Sequence, residues 1–142
     1  MDNKAFFHKL VLFTAGVLQV KHDFTKDVKP DTITPVQYGI LEYLAVSQPV
    51  TLSQISDCQH MSMPNTSREL KKLTEKKLCE KTIDPNDQRK HYIRLSPEGQ
   101  AMMNNAFQIV EARFLERVQA ATEEEREAIE RALDVLHSKV FY

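Results

Sequence analysis

The stretch Thr51–Leu95, TLSQISDCQHMSMPNTSRELKKLTEKKLCEKTIDPNDQRKHYIRL, decides the fold. It opens with Thr51-Leu52-Ser53-Gln54, a capping box in which a threonine hydroxyl and a glutamine three residues later satisfy each other's free backbone donors. A short helix therefore starts here, with Leu52 and Ile55 facing inward, and ends near His60. Ser62 is the next N-cap, and Pro64 stands in a first turn where its missing N–H costs nothing. The helix that follows runs to about Lys76. Thr66, Leu70 and Leu73 recur on one face at i, i+4 and i+7, while Asn65, Ser67, Arg68, Lys71 and Lys72 lie off it, toward solvent or a ligand. Leu78 to Ile83 and His91 to Leu95 alternate as strands around Asp84-Pro85-Asn86-Asp87-Gln88-Arg89-Lys90. Turn formers with a basic tip predict a hairpin with an extended loop. A helix-turn-helix followed by a basic hairpin is a shape for gripping duplex DNA.

On the N-terminal side, residues 4 to about 24 read as a helix. Its Phe6, Phe7, Leu10, Val11, Leu12, Phe13, Val17, Leu18 and Val20 cover more than one face, so it needs burial on more than one side. Two readings stand: a central core helix of this chain, or a helix shared with a partner subunit. The polar, proline-punctuated TKDVKPD is a loop. Thr34-Pro35-Val36-Gln37 then opens a helix with Ile40, Leu41 and Leu44 as its apolar stripe, ending before Pro49. On the C-terminal side, Ser96-Pro97 starts a long helix with Met103, Ala106, Phe107, Val110, Phe114 and Val118 on its buried side. Thr122 to Glu125 is a further capping box, and the last helix carries Ile129, Ala132, Leu133, Leu136 and Val140. The expected class is mainly α with a small β-hairpin (α+β).

The 142 residues favour a single domain, 42% apolar content supplies a core, and 27% charge is ordinary for a soluble protein. Gly16, Gly39 and Gly99 are the only glycines, which excludes a glycine-rich phosphate loop. No apolar run approaches the ~18 residues of a membrane span, and the N-terminus lacks a cleavable signal pattern. Cys58 and Cys79 have neither the number nor the spacing of a disulfide framework. A cytoplasmic location is expected. The net charge of -1 conceals an asymmetry: His60 to Arg94 carries nine basic residues against five acidic, a balance of +4, whereas Glu98 to Asp134 carries nine acids against four arginines, a balance of -5. Phosphate would repel such a body and attract only the basic head.

Enzyme motifs are missing: there is no nucleophile elbow, paired-carboxylate spacing, H-E-x-x-H or nucleotide loop, so neither catalysis nor a cofactor is expected. Cys58-x-His60, even with Cys79 or His91, falls short of the three or four converging ligands that zinc requires; no metal is expected. A redox role for Cys58 or Cys79 stays open, although Cys79 occupies a strand position that is ordinarily apolar and reads as a small core residue.

In order and register across nearly the whole chain, these residues resemble the MarR family of bacterial transcription regulators, which are winged-helix dimers. The most specific correspondence is the pattern S-x-P-x-x-S-R-x-[VIL]-x-x-L followed by a D-P-x-D-x-R wing. It stands here as Ser62, Pro64, Ser67, Arg68, Leu70 and Leu73, then Asp84, Pro85, Asp87 and Arg89. L-[ST]-x-x-G follows as Leu95, Ser96 and Gly99. The resemblance implies one MarR-type domain over 1–142, with a winged-helix DNA-binding lobe at 34–96 (helix-turn-helix about 51–74, wing about 78–95) and dimerisation helices at 1–30 and 100–142. Recognition-helix contacts to DNA are expected from Ser62, Asn65, Thr66, Ser67, Arg68, Lys71 and Lys72. Wing contacts are expected from Arg89 and Lys90, with Asp87 holding Arg89 by a charge-assisted hydrogen bond. The side-chain chemistry agrees: Arg bridges two acceptors on guanine, Asn suits adenine, and hydroxyls and Lys serve phosphates.

Two positions depart from the family pattern. Lys77 follows the recognition helix where many members have glycine, which strains a left-handed backbone, and Asn86 replaces a second basic residue in the wing. By the same resemblance, a small, often aromatic effector is expected in a cleft lined by Phe13, Tyr38, Tyr43, Met103 and Phe107, unless these simply pack the core. The expected function is a homodimeric DNA-binding regulator, most simply a repressor released by an effector. A thiol- or metal-responsive regulator and a winged-helix protein-interaction module without DNA binding are the alternatives.

Overall fold

A computed structural model describes residues 1–142. The elements run α1 (Asn3–Thr25), α2 (Pro35–Ser47), α3 (Leu52–Gln59), α4 (Met63–Glu75), β1 (Cys79–Asp84), β2 (Asp87–Leu95), α5 (Pro97–Arg117) and α6 (Glu123–Lys139), with β1 and β2 antiparallel. The fold is mainly α with a small hairpin. Helix starts follow the caps. Thr34, Thr51 and Thr122 form reciprocal capping boxes with Gln37, Gln54 and Glu125, and the Ser62 and Ser96 hydroxyls accept from the N–H groups of Asn65 and Gly99. Each cap contributes on the order of 1 kcal/mol.

One apolar core joins α2, α3, α4, the base of the hairpin and the N-terminal half of α5. Ile40, Leu41, Leu44, Ile55, Leu73 and Met103 are fully buried at its centre. Val50 adds a rung beside β2, exchanging main-chain hydrogen bonds with Ile93 (3.1 and 2.7 Å). Two polar latches tie α4 to its surroundings. The buried Gln37 amide donates to Glu69 Oε2 (3.1 Å) and accepts at Oε1 from Lys76 Nζ (3.0 Å), joining α2 to the middle and the C-cap of α4. Past the end of α4, Lys77 has φ 63°, the left-handed backbone anticipated at that position. The Ser96 hydroxyl donates to the Lys77 carbonyl (2.6 Å) while accepting from Gly99 N–H (2.9 Å), so the first turn of α5 clamps that left-handed turn.

α1 and α6 lie outside this core and bury no residue. Phe6, Leu12 and Leu18 are 60%, 61% and 73% exposed. The chain therefore does not enclose its own first helix, and the central-core reading of α1 is excluded. α1 is held only at its C-terminal end, where Arg113 Nη1 donates to the carbonyls of Phe24 (2.8 Å) and Lys26 (2.7 Å). Phe24 meets Phe114 edge-on at 6.2 Å.

The hairpin differs from expectation. Instead of a seven-residue loop between short strands, β2 begins at Asp87 and the turn is Pro85-Asn86 alone. Asp84 pairs with Asp87 but the preceding Ile83 pairs with His91, so Gln88, Arg89 and Lys90 have no partner on β1 and bulge outward. Side-chain-to-backbone bonds explain the tight turn: Asp84 Oδ1 accepts from Asn86 N–H (2.8 Å) and Asp87 Oδ1 from Arg89 N–H (3.0 Å).

Candidate nucleic-acid interface

α4 is built with three faces. Thr66, Leu70 and Leu73 point into the core. Ser67, Lys71 and Thr74 point across to the hairpin, and with Arg89 and Lys90 they line a groove of about 830 Å³ between the helix and the wing. Ser62, Asn65, Arg68 and Lys72 are exposed on the remaining face, outside the groove. Asn65 Oδ1 accepts from Arg68 Nη1 (3.2 Å), and Lys72 Nζ leans on Glu69 (3.5 Å). Both are exposed contacts that a phosphate or base edge could replace at little cost.

Thr66 is a correction. It is fully buried, with its hydroxyl donating to the Ser62 carbonyl (2.9 Å) and bonded to the buried Ser56 hydroxyl (2.9 Å). It pins α3 against α4 and has no path to a ligand. Asp87 is corrected in manner: its carboxylate grips the main-chain N–H of Arg89, not the guanidinium, and so orders the bulge while leaving the Arg89 side chain exposed and free of protein partners.

Several groove residues went unnoticed in the sequence reading. Lys81 and His91 join Lys71, Arg89 and Lys90, while Thr51 and Ser53 bring the start of α3 to the rim. The two-residue strand period could have found Lys81 and His91. Cross-strand pairs share a face, and the one holding the buried Cys79, Leu95 and Ile93 at the base continues outward through Lys81, Ile83 and His91. Glu75 and Glu80 are the groove's acidic members, and Glu80 is engaged by Arg94 (3.3 Å) on the hairpin's other face.

A second cavity, of about 710 Å³, lies between α1, α2 and α5. Of the five proposed cleft residues, Phe13 and Phe107 line it. Met103 and Tyr38 are buried in the core and Tyr43 packs beside them, so these three do not line the cavity. The sequence reading missed Val17, Phe24, Val110 and Phe114, together with the ion pair Lys21–Glu42 at 3.2 Å. The Tyr38 hydroxyl has no hydrogen-bond partner, and burial, aided by the charge of Glu42, raises its pKa.

The cysteines separate. Cys58 is exposed on α3, whereas Cys79 is buried, and burial pushes its thiol up to about 12. A group held as the neutral thiol is a poor oxidant sensor, so burial disfavours a redox role for Cys79. Cys58 and His60 are not joined by Cys79 or His91, and nowhere do three His, Cys, Asp or Glu side chains converge on a metal-sized site. No helix is long and apolar enough to cross a membrane.

Residues 31–90 match a family model described as MarR family. A MarR family protein from Bacillus stearothermophilus superposes with TM-score 0.82 at 18% identity, covering 100% of this chain and 99% of the other. MepR of S. aureus bound to ethidium bromide has TM-score 0.65 at 25% identity, with 92% and 94% covered. A MepR mutant bound to an oligodeoxyribonucleotide has TM-score 0.59 at 24% identity, with 93% and 97% covered. No curated protein matches the chain by sequence.

Proposed function

We propose, from the premise that this chain is a winged-helix protein of the MarR family, that it binds a pseudo-palindromic DNA site as a homodimer and regulates transcription, most simply as a repressor. One observation carries the reading. α4 and the wing bring Ser67, Lys71, Lys81, Arg89, Lys90 and His91 to a shared groove, beside the exposed Arg68 and Asn65, while the acidic residues of α5 and α6 lie elsewhere. A helix for the major groove with a basic arm beside it is the geometry by which winged helices meet duplex DNA. Arg89, free of protein partners on an outward bulge, suits a narrow minor groove, where shape and potential are read more than sequence. A MepR mutant of related fold is bound to an oligodeoxyribonucleotide, which supports DNA as the partner here.

Dimerisation follows from the bare apolar faces of α1 and α6. Phe6, Phe7, Leu12, Leu18, Leu133 and Val135 would each contribute on the order of 1 kcal/mol when covered. The cavity between α1, α2 and α5 adjoins these faces and takes the effector. The ethidium complex of MepR, in a related fold, supports a small-molecule site. Because two recognition helices must enter successive grooves at once, a ligand that changes their separation changes DNA affinity.

The test uses the upstream DNA of the protein's own gene. Arg89→Ala is expected to weaken binding about tenfold and to lower the log-affinity against log-salt slope by about 1. Arg68→Ala should also relax base preference, by about 1–3 kcal/mol at one position. Unchanged affinity in both variants would overturn the site assignment.

A further inference from the structure

The α1–α2–α5 cavity contains one charged pair, and its two members are held very differently. Resting on the proposal that this cavity takes the effector, we infer that the effector is a lipophilic cation, recognised by Glu42 in exchange for Lys21. Ten of the fourteen lining residues are hydrophobic, which sets the ligand's body as apolar. Lys21 and Glu42 alone carry charge there, 3.2 Å apart.

Glu42 stands on α2, whose Ile40, Leu41 and Leu44 are locked in the core, and its side chain is only 25% exposed. Lys21 extends from the uncovered α1 and is 61% exposed. Glu42 is therefore a fixed charge and Lys21 a movable counter-ion. A long ammonium at the surface returns to water at little cost. Glu42 accepts no hydrogen bond from any other protein group; even the buried Tyr38 hydroxyl, one turn earlier on α2, is unpartnered.

A cationic ligand can thus replace Lys21, keep Glu42 compensated and bury its apolar body against Phe24, Phe107 and Phe114. An anion must draw Lys21 away and strand a partly buried carboxylate, which is the costly way to break an ion pair. The same asymmetry makes Glu42 the residue that determines specificity.

Tetraphenylphosphonium and tetraphenylborate present the same four phenyl rings around opposite charges. Calorimetric titration of each into the purified full-length chain is expected to show the phosphonium binding about tenfold tighter, equivalent to ~1.4 kcal/mol. Glu42→Gln should erase most of that preference, and Lys21→Met, which removes the competing cation from an exposed helix, should increase it. Because the readout is the change in the ratio, any difference in the two ions' intrinsic hydrophobicity cancels. A ratio unmoved by both substitutions, or moved toward the phosphonium by Glu42→Gln, would overturn the cation assignment while leaving the cavity as an effector site. Binding of neither ion would overturn the effector cavity itself.

Discussion

Gly99 shows how a single missing atom fixes the lobe. A Cβ built on it would lie 2.1 Å from the Leu78 carbonyl oxygen, and a main-chain atom cannot step aside as a flexible side chain can. Gly99→Ala should destabilise the protein by about 3 kcal/mol, read as a lower urea midpoint at unchanged slope. Lys77, next to Leu78 in the chain and bonded at its carbonyl by Ser96, shows the opposite case. Its side chain is exposed and its φ is 63°, so Lys77→Gly should stabilise by about 1 kcal/mol, raising the thermal midpoint by roughly 3 °C. The thiols give a third test at this scale. Cys58 alone should react with a disulfide reagent at pH 8 in the native protein, and both cysteines in denaturant; reaction of Cys79 in the folded state would contradict its burial. Residue type was the weakest guide in the sequence. Thr66 was grouped with its polar neighbours although its i, i+4, i+7 spacing with Leu70 and Leu73 already placed it inside, where Ser56 and the Ser62 carbonyl satisfy its hydroxyl.

Elements were far more legible, because helix starts are written in short-range chemistry. The Thr34, Thr51, Ser62, Ser96 and Thr122 caps all stand where expected. The hairpin was not legible, since DPNDQRK reads as loop by composition, and only the Asp84 and Asp87 side-chain bonds show that the chain turns at Pro85-Asn86 and bulges at Arg89. Nor was Gln37 read beyond its capping role. It also receives Lys76 and donates to Glu69, so α2, which carries Glu42, is bonded to α4. Gln37→Leu removes one bond from each partner, Lys76 keeping the Thr32 carbonyl and Glu69 keeping Lys72, and should cost about 1 kcal/mol. It should also speed amide hydrogen exchange over residues 66–76 relative to α5. Uniform acceleration of all helices would mean that Gln37 supports the core generally and does not link α2 to α4.

At the scale of the whole molecule, the buried apolar residues all fall between Val28 and Ala106, while α1 and α6 offer apolar faces to solvent. The sequence showed that α1 needed cover on more than one side but left open who supplies it, since periodicity measures a face and not its partner. A single chain that leaves Phe6, Leu12 and Leu18 uncovered answers half of that question, and a second chain is the proposed other half. Pairing two lobes through α1 and α6 would hold two copies of the α4–wing groove at a set distance, and under the proposed function a change in the cavity would then have a consequence at DNA. The most direct measurement is the mass of the complex that the purified protein forms with duplex DNA from upstream of its own gene. Two chains on one duplex, at nanomolar protein and moderate salt, is the predicted result; one chain per site, or no complex that survives unrelated competitor DNA, would contradict it.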